Sequence, residues 1–183
     1  MIIGICGPAG AGKTTVAEIL CSAGTGVSIP LADPLYKGLA AMFGLSEADL
    51  SDRATKEEPI DWIGQSPRRL LQTLGTEWGR AVVGEDIWIT ICLRRARQNL
   101  QAGYRTVVIP DVRFDNEAVA IREAGGIIIR VTRPSGCVDS EAMRHTSESG
   151  IDESLVDVTV HNSGSMAQLR RALKATMEEY TPV

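Results

Sequence analysis

Aromatic side chains make up only 4% of the 183 residues, so a core has to be filled by Ile, Leu, Val and Ala, as in buried parallel strands and their covering helices. Cysteines at CxxC spacing are absent. Cys6, Cys21, Cys92 and Cys137 stand far apart and, with two distant histidines, form no zinc set, which leaves free, buried thiols as the expectation. Nor is there an excess of positive charge. At a formal charge of −4 no global field draws the chain to nucleic acid, and phosphate recognition falls to local Arg and Lys clusters suited to small anions. Residues 1–6 enter an apolar strand with no basic leader, and no long apolar run follows. Neither a signal peptide nor a membrane span is expected, and the expected compartment is the cytoplasm, that of a host if the gene is viral.

What is present fits one α/β domain over residues 1–183, with 44% hydrophobic residues. Apolar strands are expected at 1–6, 27–32, 106–109, 127–131 and 156–160. Between them, helical periodicity marks 13–21, 35–43, a segment from Ser66-Pro67 through Leu70, Leu71, Leu74 and Trp78, then 86–101, 116–124 and 165–179. Strands alternating with helices predict a five-stranded parallel sheet covered on both faces, a three-layer α/β/α arrangement. An acidic excursion near 46–66 reads as a mobile insertion, and the polar stretch near 134–153 as a lid. In such a sheet ligands gather at the carboxyl ends of the strands, where Gly7, Asp33, Asp111 and Arg133 all fall.

Gly7-Pro8-Ala9-Gly10-Ala11-Gly12-Lys13-Thr14 matches G-x-x-x-x-G-K-[ST] between a strand and an amphipathic helix. Gly7, Gly10 and Gly12 permit tight backbone geometry, so the amides from Ala9 through Ala11 to Thr15 can face phosphate oxygens. The helix N-terminus adds a favourable field. Lys13 is expected to reach the terminal phosphates of ATP and Thr14 to ligate Mg²⁺. A glycine-rich turn that binds nothing would require neither residue.

The phosphate loop, Leu31-Ala32-Asp33-Pro34-Leu35, Leu70-Leu71-Gln72-Thr73-Leu74-Gly75-Thr76-Glu77 and Asp111-Val112-Arg113-Phe114-Asp115-Asn116-Glu117 together resemble phage-type deoxynucleoside monophosphate kinases. The ending Val158-Thr159-Val160-His161-Asn162 is similar too, though dephospho-coenzyme A kinases end alike. The resemblance spans most of the chain and implies a P-loop NTPase fold of the nucleoside monophosphate kinase type. It also implies Mg²⁺-dependent transfer from ATP to a deoxynucleoside 5′-monophosphate. Thr14 is a departure, because many members carry Asp directly after the loop lysine.

The resemblance implies substrate contacts at Gln72, Gly75, Thr76, Arg113 and Glu117, with Arg113 balancing phosphate charge beside Lys13. Asp111 resembles the carboxylate that ends a second strand in many phosphate-loop enzymes and serves Mg²⁺. Several positions keep two readings. Arg68 and Arg69 clamp the acceptor phosphate or are solvated surface charges; Asp33 orients the acceptor or caps a helix; Trp88 stacks on the base or packs; Arg113 and Glu117 touch substrate or form a surface pair. Arg133 stacks on adenine or neutralises phosphate, while His145, Ser147 and Glu148 belong to the closing segment or the exposed surface. Small-molecule nucleotides are the expected partners, with a homodimer as a further expectation. Rival readings are a kinase of hydroxymethylated pyrimidine in phage DNA, a dephospho-coenzyme A kinase, and a nucleotide-dependent switch, although no NKxD motif is present.

Overall fold

Three apolar runs, at 2–6, 107–109 and 127–129, have no polar face to turn to water, so they belong inside a sheet covered on both sides. The computed structural model describes residues 1–22, 24–52, 54–133 and 150–180, and it places these runs as three adjacent strands. Five strands are present: β1 (Ile2–Cys6), β2 (Gly26–Ser28), β3 (Thr106–Ile109), β4 (Ile127–Thr132) and β5 (Val158–His161). All pair in parallel, in the order β2-β3-β1-β4-β5. β1 is central, with Gly4 opposite Ile109 of β3 on one edge and Ile128 of β4 on the other. The helices are α1 (Lys13–Cys21), α2 (Asp33–Phe43), α3 (Glu47–Ser51), α4 (Pro67–Gln72), α5 (Ile87–Gln101), α6 (Asp115–Glu123) and α7 (Met166–Tyr180). A π-helical segment runs over Thr73–Val83.

The described chain divides into two compact units, Met1–Pro30 with Cys92–Val183, and Leu31–Ile91. In the first, alternation along each strand separates two packing layers. Ile3, Ile5, Ile129, Val131 and Val160 meet Val16 and Ala17 of α1 and Leu169 and Leu173 of α7. On the opposite face Gly4 approaches Ile128 and the Ile121 side chain of α6. The unit is therefore a three-layer α/β/α sandwich around a parallel sheet. No helix among the described residues is long and apolar enough to cross a membrane.

The second unit begins at Leu31, earlier than the acidic stretch from which an insertion was expected. That stretch contains α3, closed by a reciprocal box in which Ser46 Oγ accepts the Asp49 N–H at 3.1 Å and Asp49 accepts the Ser46 N–H at 2.8 Å. The Ser46 hydroxyl, donating to the Asp49 carboxylate at 2.7 Å, and then the Ser46 N–H hold that carboxyl below its ordinary pKa. Leu50, fully buried, anchors the turn. β2 stops at Ser28, short of the expected 32: Ile29 N–H still donates to Val108 O at 2.8 Å, but Pro30 has no N–H to continue the ladder. The helix expected through Leu70 and Trp78 changes character after Gln72, and the Gly84 N–H closes on Gly79 O, five residues back. Gly75 and Gly79 are poor α formers, and they present bare backbone on the packed side of this segment.

Ile129 has no exposed surface and lies in the layer shared by α1 and α7. Ile129→Ala should lower stability by about 2–5 kcal/mol, read from equilibrium urea unfolding.

Candidate active site

β1 ends at Cys6, and the chain turns through Gly7 to Gly12 before α1 begins. Gly7, Gly10 and Gly12 have φ of 134°, 77° and 98°, a region unfavourable to side chains. Two of these positions are also crowded, since a Cβ on Gly7 would strike the Val131 carbonyl and one on Gly12 the Asn162 amide. At Gly10 a Cβ would meet nothing within 4 Å, so that corner of the loop faces open space. Ala11 pins the loop from beneath, its methyl 2% exposed within the core and its N–H donating to Pro8 O at 3.3 Å. Pro8 and Ala9 are exposed.

α1 starts without a side-chain cap. Its N-cap is Gly12, its first turn holds no Asp or Glu, and the Val16 N–H makes the first return bond, to Gly12 O at 3.0 Å. The N–H groups of Lys13, Thr14 and Thr15 precede that bond and, with the positive end of the helix dipole, favour an anion. α3 and α4 differ, since Ser46 and Ser66 close their N-termini. Lys13 folds back over the turn, its Nζ donating to Gly7 O at 2.7 Å and Pro8 O at 2.9 Å. Those acceptors are neutral, and an ionised phosphate is the stronger partner for an ammonium. Thr14 is exposed beside it.

Asp111, half-buried, follows β3 across Pro110, and the Val112 N–H donates to Ile5 O at 3.1 Å, which holds this turn beside the end of β1. Glu117 is 5% exposed. Its Oε2 accepts the backbone N–H groups of Arg113 at 2.8 Å and Phe114 at 3.1 Å, so its carboxylate closes the start of α6. The connection expected between Arg113 and Glu117 as a surface ion pair is thus made through the Arg113 backbone, and the Arg113 residue is exposed. Arg133 is exposed, one residue past β4. Its neighbour Arg130 points into the fold, donating to Ile151 O at 2.8 Å and pairing with Glu153 at 2.9 Å. Burial raises the Cys6 thiol pKa above its ordinary value, against the lowering effect of Arg130 and Lys13. Cys92 is buried and Cys21 half-buried. Cys137, His145, Ser147, Glu148 and most of the stretch expected as a lid lie outside the described residues.

In the unit Leu31–Ile91, Asp33 is the first residue of α2 and meets Lys37 Nζ at 3.0 Å rather than capping the helix from its N-cap position, which Ala32 holds. Arg68 pairs with Glu57 at 3.1 Å and Arg69 with Glu77 at 2.6 Å. Each partner is about half exposed or more, so these pairs hold weakly and a dianion would displace them readily. Gln72 is half-buried, Gly75 buried and Thr76 exposed, on the continuous helical stretch that Arg68 and Arg69 open. Trp88 donates from Nε1 to Gly75 O at 2.7 Å, and its ring fills the space a side chain on Gly79 would need. Here Trp88 is a packing residue.

Two residues in these contacts, Gly79 and Asn162, were not among the expected site residues. Gly79 carried a signal, its spacing of four from Gly75 on one helix face. Glu117 was expected to touch substrate or pair with Arg113, and its closing of α6 had a signal of its own, its place as the third residue of that helix, where a carboxylate reaches back to the preceding N–H groups. Asn162 lies just past β5, and its Nδ2 donates to Ala11 O at 2.9 Å. A polar residue at a parallel strand's carboxyl end was the available signal.

A family model described as deoxynucleotide monophosphate kinase matches residues 51–173. A protein of Acanthamoeba polyphaga mimivirus, provisionally named a deoxynucleotide monophosphate kinase, is 35% identical over 159 residues, covering 81% of this chain and 80% of that protein. The deoxynucleotide monophosphate kinase of Enterobacteria phage T4 is 29% identical over 113 residues, covering 62% of this chain but 46% of the phage protein. Among solved structures, TT1252 from Thermus thermophilus superposes with a TM-score of 0.51 at 22% identity, covering 100% of this chain and 98% of that one, a likeness of fold.

Trp88→Phe keeps an aromatic face toward Gly79 but deletes the donor to the Gly75 carbonyl. We expect urea unfolding to show a loss of about 1–3 kcal/mol. Unchanged stability would argue against that bond.

Proposed function

The chain belongs to the deoxynucleotide monophosphate kinase family, and from that membership we propose that it transfers the γ-phosphoryl group of ATP to a deoxynucleoside 5′-monophosphate, yielding ADP and the diphosphate. It is a phosphotransferase acting on small-molecule nucleotides. The observation that carries the reading is the uncapped start of α1 with Lys13 lying across it, a cradle of amides and one ammonium suited to a polyphosphate.

The residues present fit both ATP and Mg²⁺. Three positive-φ glycines leave their corners of the loop without side chains, and Gly10 leaves open space where phosphates would enter. Lys13 exchanges two loop carbonyls for phosphate oxygens, and the Thr14 hydroxyl and the Asp111 carboxylate supply the hard oxygen donors that Mg²⁺ takes. When bound, the metal neutralises charge developing on the transferred group. Arg113 balances the same charge from the turn after β3, and Glu117 holds that turn in shape. Arg133 serves the donor nucleotide.

The acceptor falls to the unit Leu31–Ile91. Arg68 and Arg69 clamp its phosphate, while Gln72, Gly75 and Thr76 line the sugar or base, and Asp33 orients it. Trp88 contributes by shaping the Gly75 turn. ATP and free deoxynucleoside monophosphates as substrates support the cytoplasm as the compartment, that of a host if the gene is viral. Exposed Trp78, Val82 and Val83 on the π-helical segment support a homodimer, to be checked by sedimentation velocity.

A coupled assay with ATP, Mg²⁺ and each nucleoside monophosphate in turn should show ADP formation that depends on a deoxynucleoside monophosphate. Lys13→Ala should lower turnover by about 10²-fold or more. Full turnover in that variant would reject the cradle. Phosphorylation of pyrimidines in DNA, with free monophosphates inert, would instead identify the DNA-modifying rival.

A further inference from the structure

Asn162 lies far outside the phosphate loop, at the end of the segment Val158-Thr159-Val160-His161-Asn162, yet it touches the loop directly. Its backbone is fixed at the sheet rim, where the N–H donates to Thr132 O at 2.7 Å, and the preceding residue joins in through a Thr132 Oγ1 to His161 Nδ1 contact of 2.8 Å. From there its Nδ2 donates to Ala11 O at 2.9 Å. A carbonyl can only accept, so the amide nitrogen rather than the amide oxygen must face it. The same amide occupies the space that a side chain on Gly12 would take.

The Ala11 carbonyl and the Gly12 N–H belong to one peptide plane, and the described chain has no cis bond. In a trans peptide the two point in opposite directions. Holding the carbonyl toward Asn162 therefore aims the Gly12 N–H the other way. Glycine tolerates both signs of φ, so without a tether this peptide can turn over, which would present a carbonyl oxygen where an N–H had been. An oxygen in that place repels phosphate. The Ala11 methyl, buried in the core, holds one side of the unit, and Asn162 holds the other.

We propose that Asn162 is a positioning residue for the donor nucleotide, acting through the Ala11–Gly12 peptide and keeping its N–H available to phosphate. The inference rests on the kinase reading for its effect on turnover, while its effect on ATP binding can be measured without an acceptor. Two variants of the full chain separate a hydrogen-bonding role from simple filling of space. Asn162→Ala removes the donor; Asn162→Asp keeps the shape but sets a carboxylate against the Ala11 carbonyl.

Titration with a fluorescent ATP analogue and Mg²⁺, steady-state KM values for both substrates, and the thermal midpoint without nucleotide are the readouts. Asn162→Ala should weaken ATP binding and raise its KM about tenfold, with the acceptor KM unchanged and the midpoint lower by only about 2–4 °C. Asn162→Asp should be the weaker binder of the two. Wild-type ATP affinity in both variants, or equal losses for ATP and acceptor that follow a fall in the midpoint, would overturn the proposal. If the wild type shows no acceptor-dependent ADP formation, the kinase reading fails by itself, and the ATP titration still decides the role of Asn162.

Discussion

The whole arrangement depends on β1 being hydrogen-bonded along both edges. Pairing with β3 and β4 leaves this strand no freedom to shift in register, because each slip of one residue would exchange Ile3 and Ile5 for Gly4 across the two faces. The point where the chain leaves the sheet is thereby set, and with it the place of the loop from Gly7 to Thr14. The same two neighbours deliver Asp111 from β3 and Arg133 from β4 to the same rim. A parallel sheet makes this convergence automatic, since all its strands end on one side.

Loop geometry then follows from contacts that exclude side chains. Val131 O lies against Gly7 and the Asn162 amide against Gly12, so both neighbouring strands on that side press on the turn. The ammonium of Lys13 rests on carbonyls within the loop. A carboxylate in the first turn of α1 would stabilise the helix but compete with the nucleotide; the turn has none.

In the unit Leu31–Ile91, stability and the proposed recognition of the acceptor draw on the same stretch of chain. Gly75 and Gly79 admit Leu35 and the Trp88 ring close to the backbone, and the indole N–H satisfies the Gly75 carbonyl. Polar and charged residues of the stretch, Arg69, Thr76 and Glu77, remain exposed. A buried glycine edge and an exposed polar edge on one helical stretch suit a surface that has to be rigid and still reach a ligand.

The amino-acid order by itself determined the phosphate loop, the five strands and most helices, because these depend on near neighbours: glycine spacing, runs of β-branched residues and helical periodicity. It also carried the family resemblance. The tertiary structure decided which residues serve one another. Asn162 and Ala11 are 151 positions apart, and they meet because β5 lies beyond β4, two strands from β1, an order that no local pattern encodes. Trp88 could pack or stack until its N–H was seen to meet Gly75 O, and Glu117 could pair with the Arg113 side chain until its carboxylate was seen to accept backbone N–H groups. Periodicity specifies which face of an element is buried, whereas the partner of a polar side chain depends on which elements become neighbours, and that is set by packing of the whole unit.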